Sequence, residues 1–214
     1  MRSWSGPEPW LVIPVKGAQG GKQRLAAAVP QPERELLSQT VSRRVLRAAS
    51  AVWPGEAVVV VTPDPEVAEL CRCLSLAVLR DPGASQTEAV RLGVHHALER
   101  GAQVVATLAA DLPLLGPGDL VALLRLARRI PVRTMVLIPD LGGTGSNGMV
   151  VRPAAVLAQA FGPGSRLRHL RMARTLGLRT GELVRPGLAA DLDRPRDLQE
   201  LGGAQGVLAG AARG

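Results

Sequence analysis

Short apolar runs alternate with longer stretches of mixed polarity along the first 140 residues. "WLVIPV" at 10–15 is followed by a helical pattern over 33–51, "AVVVVT" at 57–62 by one over 64–73, and "LAVL" at 76–79 by one over 86–100. "QVVATLAA" at 103–110 is followed by a pattern over 117–129, and "TMVLIPD" closes the series at 140. Runs that are apolar throughout, rather than at every second position, belong to strands covered on both faces. The pattern therefore predicts an α/β fold, a largely parallel sheet with helices on both faces. In such sheets ligands sit at the carboxyl ends of the strands. A lysine-bearing loop after the first strand, Asp64, Asp81, Asp111 and Asp140 all fall there. Beyond residue 140 the pattern gives a glycine-rich turn, a strand "GMVVR", helices near 153–160 and 165–176, and the late segment "PGLAADLDRPRDL". Residues 1–201 read as a single domain, and 202–214, composed of small residues, as a flexible tail.

Composition narrows the chemistry. Of 26 basic residues only two are lysines, Lys16 and Lys22, and both lie in the loop after the first strand. A compact ammonium on a flexible stem suits a polyphosphate as a point charge. The net charge of +8 favours an anionic ligand, and the scattered arginines suit a small one as well as a polymer. With three Trp, one Phe and no Tyr, the stacking surfaces of single-strand nucleic-acid binders are missing, so no nucleic-acid partner is expected. No membrane span or signal peptide is legible, and Cys71 and Cys73, two apart in a helical pattern, do not suit a mutual bridge; a cytoplasmic protein is expected. His95, His96 and His169 show no zinc spacing. Nothing fixes the oligomeric state, a homodimer being one option.

Two familiar phosphate motifs fail. The segment from Gly17 to Gln23 has one residue too few for a P-loop and glutamine where a Ser or Thr belongs; "GTGSNG" at 143–148 leads into a strand rather than a helix. What remains is a glycine-bearing loop with Lys16, Lys22 and Arg24 for negative charge, joined by Asp64 as a nucleotide-binding candidate. Asp111 ends a buried strand, and Asp191 and Asp193 stand two apart in "AADLD", on one face if extended. Three carboxylates without His or Cys favour a hard ion such as magnesium (Mg2+). Lys22 and Asp111 are the catalytic candidates. In "FGPGSRLRHL" the glycines free the backbone, Ser165 is placed to cap the following helix, and the helix amides suit a phosphate or carboxylate.

The segments "VIPVKGAQGGKQRLA", "VVVVTPDPEV", "ADLPLL", "PDLGGTGSNGMVV", "FGPGS" and "PGLAADLDRPRDL", in that order over residues 10–200, resemble the guanylyltransferases of coenzyme F420 biosynthesis. These join GTP to phosphoenolpyruvate or 2-phospho-L-lactate and release pyrophosphate. The resemblance implies a Rossmann-like nucleotidyltransferase fold of the GT-A type and Mg2+ on Asp111, Asp191 and Asp193. It also implies that Asn147, Gly162 and Ser165 hold the phosphorylated three-carbon acid. "ADLPLL" is shared with the wider group that includes molybdopterin guanylyltransferases, so a pterin or sugar-phosphate acceptor is the rival within the class. A non-catalytic polyanion binder is the rival outside it, and the paired Asp191 and Asp193 argue against that. The arginine and alanine excess leans toward phosphoenolpyruvate, the bacterial acceptor.

Overall fold

A computed structural model describes residues 7–17, 22–81, 83, 85–156 and 160–212. Seven strands form one sheet: β1 (Trp10–Pro14), β2 (Val58–Thr62), β3 (Ala77–Arg80), β4 (Val105–Leu108), β5 (Thr134–Pro139), β6 (Ser146–Arg152) and β7 (Arg179–Glu182), in the order β3-β2-β1-β4-β6-β5-β7. The central strands are the apolar runs of the sequence. Leu11, Val12, Ile13 and Val58 to Val61 are all fully buried, because helices cover both faces. β1 pairs in parallel with β2 and β4, and β2 with β3.

The other half of the sheet is where the chain departs from a simple parallel winding. β6 inserts between β4 and β5 and runs antiparallel to both. Its Gly148 lies so close to β4 that an added Cβ would meet the Thr107 carbonyl oxygen at 2.1 Å, so only glycine fits there. The insertion returns the chain after the 140–145 turn to the ligand-bearing edge and carries Ser146 and Asn147 with it. β7 pairs in parallel with β5 at the sheet edge.

The helices are α1 (Gln31–Val52), α2 (Pro65–Cys73), α3 (Gln86–Glu99), α4 (Pro117–Arg129), α5 (Ser165–Thr175), α6 (Pro186–Ala189), α7 (Pro195–Glu200) and α8 (Gly203–Ala212). One expectation is corrected in part: of the helix expected near 153–160 the described residues show a 3-10 turn, Ala154–Val156, and residues 157–159 lie outside the described set. The small-residue stretch after residue 201 carries α8, which packs on α1 through the buried Val207.

A satellite core forms beside the main one. Leu25, Val29, Leu37, Val41, Leu192, Leu198 and Val207 bury together, joining the loop after β1, α1, the Asp191–Asp193 segment, α7 and α8. Leu192, between the two aspartates, is fully buried in it. The alternation Asp-Leu-Asp thus turns one side chain into a core and its two neighbours away from it. Among the described residues no helix is long and apolar enough to cross a membrane.

Candidate active site

The carboxyl ends of β1, β4 and β5 meet the segment after α6 to make one polar surface. Lys22 has φ 52°, in the left-handed region, and its side chain is only 6% exposed. The ammonium donates to the Leu192 carbonyl at 2.5 Å and stands 3.6 Å from Asp111 Oδ2. The Leu192 amide in turn donates to the Asp111 carbonyl at 3.1 Å. Lys22, Asp111 and the Asp191–Asp193 segment, separated by up to about 170 residues of chain, are thereby stitched together. Arg24 pairs with Asp193 at 2.9 Å, and Asp197 fixes the segment's far end by accepting the amides of Asp193 and Arg194.

Electrostatics mark the same place. Burial, followed by the charges of Asp111 and Asp193 and, more weakly, Asp140, pushes the Asp191 carboxyl up to about 7. Like charges gathered in a partly desolvated place disfavour ionisation. A cavity of about 430 Å³ opens beside them, lined among others by Arg24, Asp140, Thr144, Asp191, Asp193 and Arg196. That volume lies in the range of small-molecule sites.

Whether a divalent cation suits this place is decided by the donors. All are carboxylate oxygens, the set that a hard ion takes, and Asp191 holds on to a proton where its neighbours crowd it. The chemistry fits. The spacing does not yet match: among the described residues no three Asp, Glu, His or Cys side chains stand together closely enough to hold a metal ion, and Lys22 occupies the flank of Asp111.

The other candidates fall into two groups. Lys16 is exposed after β1, and residues 18–21 of its loop, with Gly20 and Gly21, lie outside the described set. Asp64 follows β2 and caps α2, accepting the amides of Glu66 and Val67 at 2.9 and 3.4 Å; it sits next to Gly17. Asn147 is buried, and its Nδ2 donates to the carbonyls of Leu188 and Ala189 at 3.0 and 2.9 Å. It is therefore a strut between β6 and the residues that lead into Asp191. Gly162 and Gly164 have φ of 108° and 71°, which the turn into α5 requires. Ser165 is not the cap expected of it: Gly164 holds the N-cap position, and Ser165, the first helical residue, places its hydroxyl 2.9 Å from that of Ser146.

Three participants went unselected in the sequence. Asp140 was legible as a strand-end carboxylate; its Oδ1 accepts the Thr144 amide at 2.9 Å, which shapes the turn beside the cavity. Ser146 carried no signal. His169, 1% exposed, lies four residues after Ser165 and so on the same helix face, a spacing that could have linked them. Its Nδ1 is 3.0 Å from Ser146 Oγ, and its Nε2 accepts the Ala160 amide at 3.0 Å.

Comparison with known proteins bears on the same surface. The family described as "Guanylyl transferase CofC like" matches residues 10–204. A protein of Rubrobacter xylanophilus named phosphoenolpyruvate guanylyltransferase is 40% identical over 198 residues, 92% of this chain and 95% of the relative. A protein of the same name from Sphaerobacter thermophilus is 39% identical over 192 residues, 90% and 91% of the two chains. The solved structure of a nucleotidyl transferase from Methanothermobacter thermautotroptrophicus superposes with a TM-score of 0.61 over 95% of this chain and 99% of that one, at 17% identity, a likeness of fold. With a Rossmann-like α/β sheet of the nucleotidyltransferase kind and a family match that runs through every segment of the site, the chain belongs to the CofC-like guanylyl transferases.

Proposed function

We propose that this protein transfers the guanylyl group of GTP to phosphoenolpyruvate, releasing pyrophosphate, and that it serves coenzyme F420 biosynthesis. The observation that carries the transfer chemistry is the meeting of Lys22 and Arg24 with Asp111, Asp191 and Asp193 beside one cavity at the carboxyl edge of the sheet. The choice of acceptor is supported by the names of relatives about 40% identical over some nine-tenths of the chain.

The acid's phosphate is already ionised at neutral pH. Its oxygen attacks the α-phosphorus of GTP, one P–O bond forms, the bond to the β-phosphate bridge breaks, and pyrophosphate leaves with the electron pair. No general base is needed, which agrees with a site built from cations and carboxylates. The protein's work is alignment and charge neutralisation. Lys22, held on the Leu192 carbonyl, and Arg24, at the mouth on Asp193, place positive charge where the triphosphate lies. Asp111, Asp191 and Asp193 would hold Mg2+, which would supply further neutralisation of the two anions. Asn147 keeps α6 and Asp191 in place, while Gly162 and Ser165 border the acid.

The test is pyrophosphate release from GTP and Mg2+ with a panel of acceptors: phosphoenolpyruvate, 2-phospho-L-lactate, 3-phosphoglycerate, a hexose phosphate and a reduced pterin phosphate. Phosphoenolpyruvate is expected to give the largest kcat/KM. Preference for the sugar or pterin, or no release with any of them, overturns the proposal.

A further inference from the structure

We propose that His169 is a positioning residue, acting through Ser146 so that the Ser146–Ser165 hydroxyl pair presents one O–H donor to the anionic acid. This rests on the reading that the acid lies beside Ser165. The Ala160 backbone amide can only donate, and it points at His169 Nε2 from 3.0 Å, so that nitrogen is bare. Burial, then the Arg168 guanidinium, pushes the imidazole down to about 4, so the ring is neutral near pH 7. A neutral imidazole with Nε2 bare carries its proton on Nδ1. Nδ1 therefore donates to Ser146 Oγ, 3.0 Å away.

The consequence is a count of protons. Ser146 Oγ and Ser165 Oγ are 2.9 Å apart and share one hydrogen bond, whichever of them donates it. Two hydroxyls hold two protons, and the histidine, itself a donor, takes neither. One proton of the pair is left for an acceptor outside the triad. With the opposite tautomer Nδ1 would accept from Ser146, Ser165 would donate to Ser146, and no donor would remain. The histidine thus decides whether the pair meets an anion with a proton or with lone pairs. An anion bound there gains a charge-assisted hydrogen bond only in the first case.

The surroundings hold this arrangement in place. The Phe161 ring packs edge-on against the imidazole with centroids 5.1 Å apart, fixing its plane. Arg168 donates to the carbonyls of Ala160, Phe161 and Pro163, so two successive residues of α5 hold the turn that contains Gly162. The pair also sits at the right edge of the sheet. Ser146 follows Thr144 by two residues, Thr144 lines the cavity with Asp191, and the Thr144 carbonyl accepts the Arg166 amide next to Ser165.

Amide side chains separate the two nitrogens' roles. His169→Asn puts an N–H where Nδ1 was and drops the Nε2 acceptor; His169→Gln can still accept the Ala160 amide and drops the Nδ1 donor. Ser146→Ala alone leaves Ser165 its own proton, so the pair is removed whole, as Ser146→Ala with Ser165→Ala. We expect His169→Gln and this double variant to raise the KM for phosphoenolpyruvate about tenfold or more, the worth of a hydrogen bond to a charged group. The KM for GTP should stay within about twofold and His169→Asn within about threefold of wild type for the acid, on the same reasoning. Thermal unfolding of each variant checks that it is folded, and the double variant carries the test if a histidine variant is not.

Equal losses in His169→Asn and His169→Gln would reduce the histidine to an anchor for the Ala160 turn and overturn the proposal. So would an unchanged acid KM in the Ser146→Ala/Ser165→Ala double variant, or a GTP KM that rises in parallel. Wild-type protein that neither binds nor turns over phosphoenolpyruvate removes the acceptor assignment, and this inference with it, before any variant is compared.

Discussion

Asp191 is the residue on which the site's electrostatics turn. Its carboxyl is pushed up to about 7 by burial and by Asp111 and Asp193, against an ordinary value near 3.8. Between those two pH values the folded chain binds a proton that the unfolded chain does not, so the contribution to stability falls as pH rises from about 4 to about 7. Above that window the penalty is fully present. Asp191→Asn should therefore unfold at a higher denaturant concentration than wild type at pH 8 in the absence of divalent ions, by on the order of 1–3 kcal/mol, with the gap shrinking as pH falls and closing at about pH 4. The same variant should lose most turnover, and Mg2+ should stabilise wild type but not the variant. A wild type as stable as Asp191→Asn at pH 8 would remove the crowding of carboxylates on which the metal assignment leans. The two lysines give a contrasting pair. Lys22→Met leaves the Leu192 carbonyl without its donor and Asp111 without its neighbouring ammonium, which should cost about 2–4 kcal/mol and nearly all activity. Lys16→Met, at an exposed position, should leave the unfolding midpoint unchanged. Equal midpoints for the two variants would show that the buried ammonium contributes nothing to the stitch.

Elements explain why the carboxylates stay together and which parts of the design could be read in advance. The Asp191–Asp193 segment has no regular structure of its own and is held from below by Leu192 in the satellite core, whose outer wall is α8. Val207→Ala removes roughly two methylene groups from that wall and should cost about 1–2 kcal/mol. Because the loosened element supports Leu192, the KM for Mg2+ should rise with it, while a cavity of similar size in the main core, as in Val94→Ala, should lower the midpoint alone. An unchanged metal dependence in Val207→Ala would sever α8 from the site. Nothing in the glycine and alanine residues of this helix announced it, since the pattern that signals a docked helix needs large apolar side chains and only Val207 and Leu208 supply them. β7 was hidden for the opposite reason. Arg179, Thr180 and Glu182 are exposed, and the strand is defined by backbone pairing with β5. β1, β2 and β4 were legible because burial on both faces demands an unbroken apolar run. The three aspartates were legible too, since strand ends and an Asp-Leu-Asp alternation are local signals. The tie of Asn147 to α6 and the Ser146–His169 contact join residues 23 to 42 positions apart, and no local pattern carries them.

At the scale of the whole molecule, the excess of positive charge has a kinetic meaning that the site alone does not. Both proposed substrates are highly anionic, and the chain carries a net charge of +8 distributed over arginines. Such a field raises the local concentration of anions and speeds their encounter, and salt weakens it over a screening length of about 8–10 Å at 0.1–0.15 M. The bound complex is different. Lys22 is buried against Leu192 and Asp111, so its action on a bound triphosphate is shielded from the solvent ions that screen the surface. Raising sodium chloride from about 20 to about 300 mM at constant free Mg2+ should therefore lower kcat/KM for GTP several-fold while kcat changes by less than about twofold. Neutralising exposed arginines far from the cavity, such as Arg47 and Arg125 together, should flatten that salt dependence without altering kcat. A kcat that falls in step with kcat/KM would mean that salt acts on the site itself, through its exposed Arg24–Asp193 pair, and the surface charge would then have no part in capture.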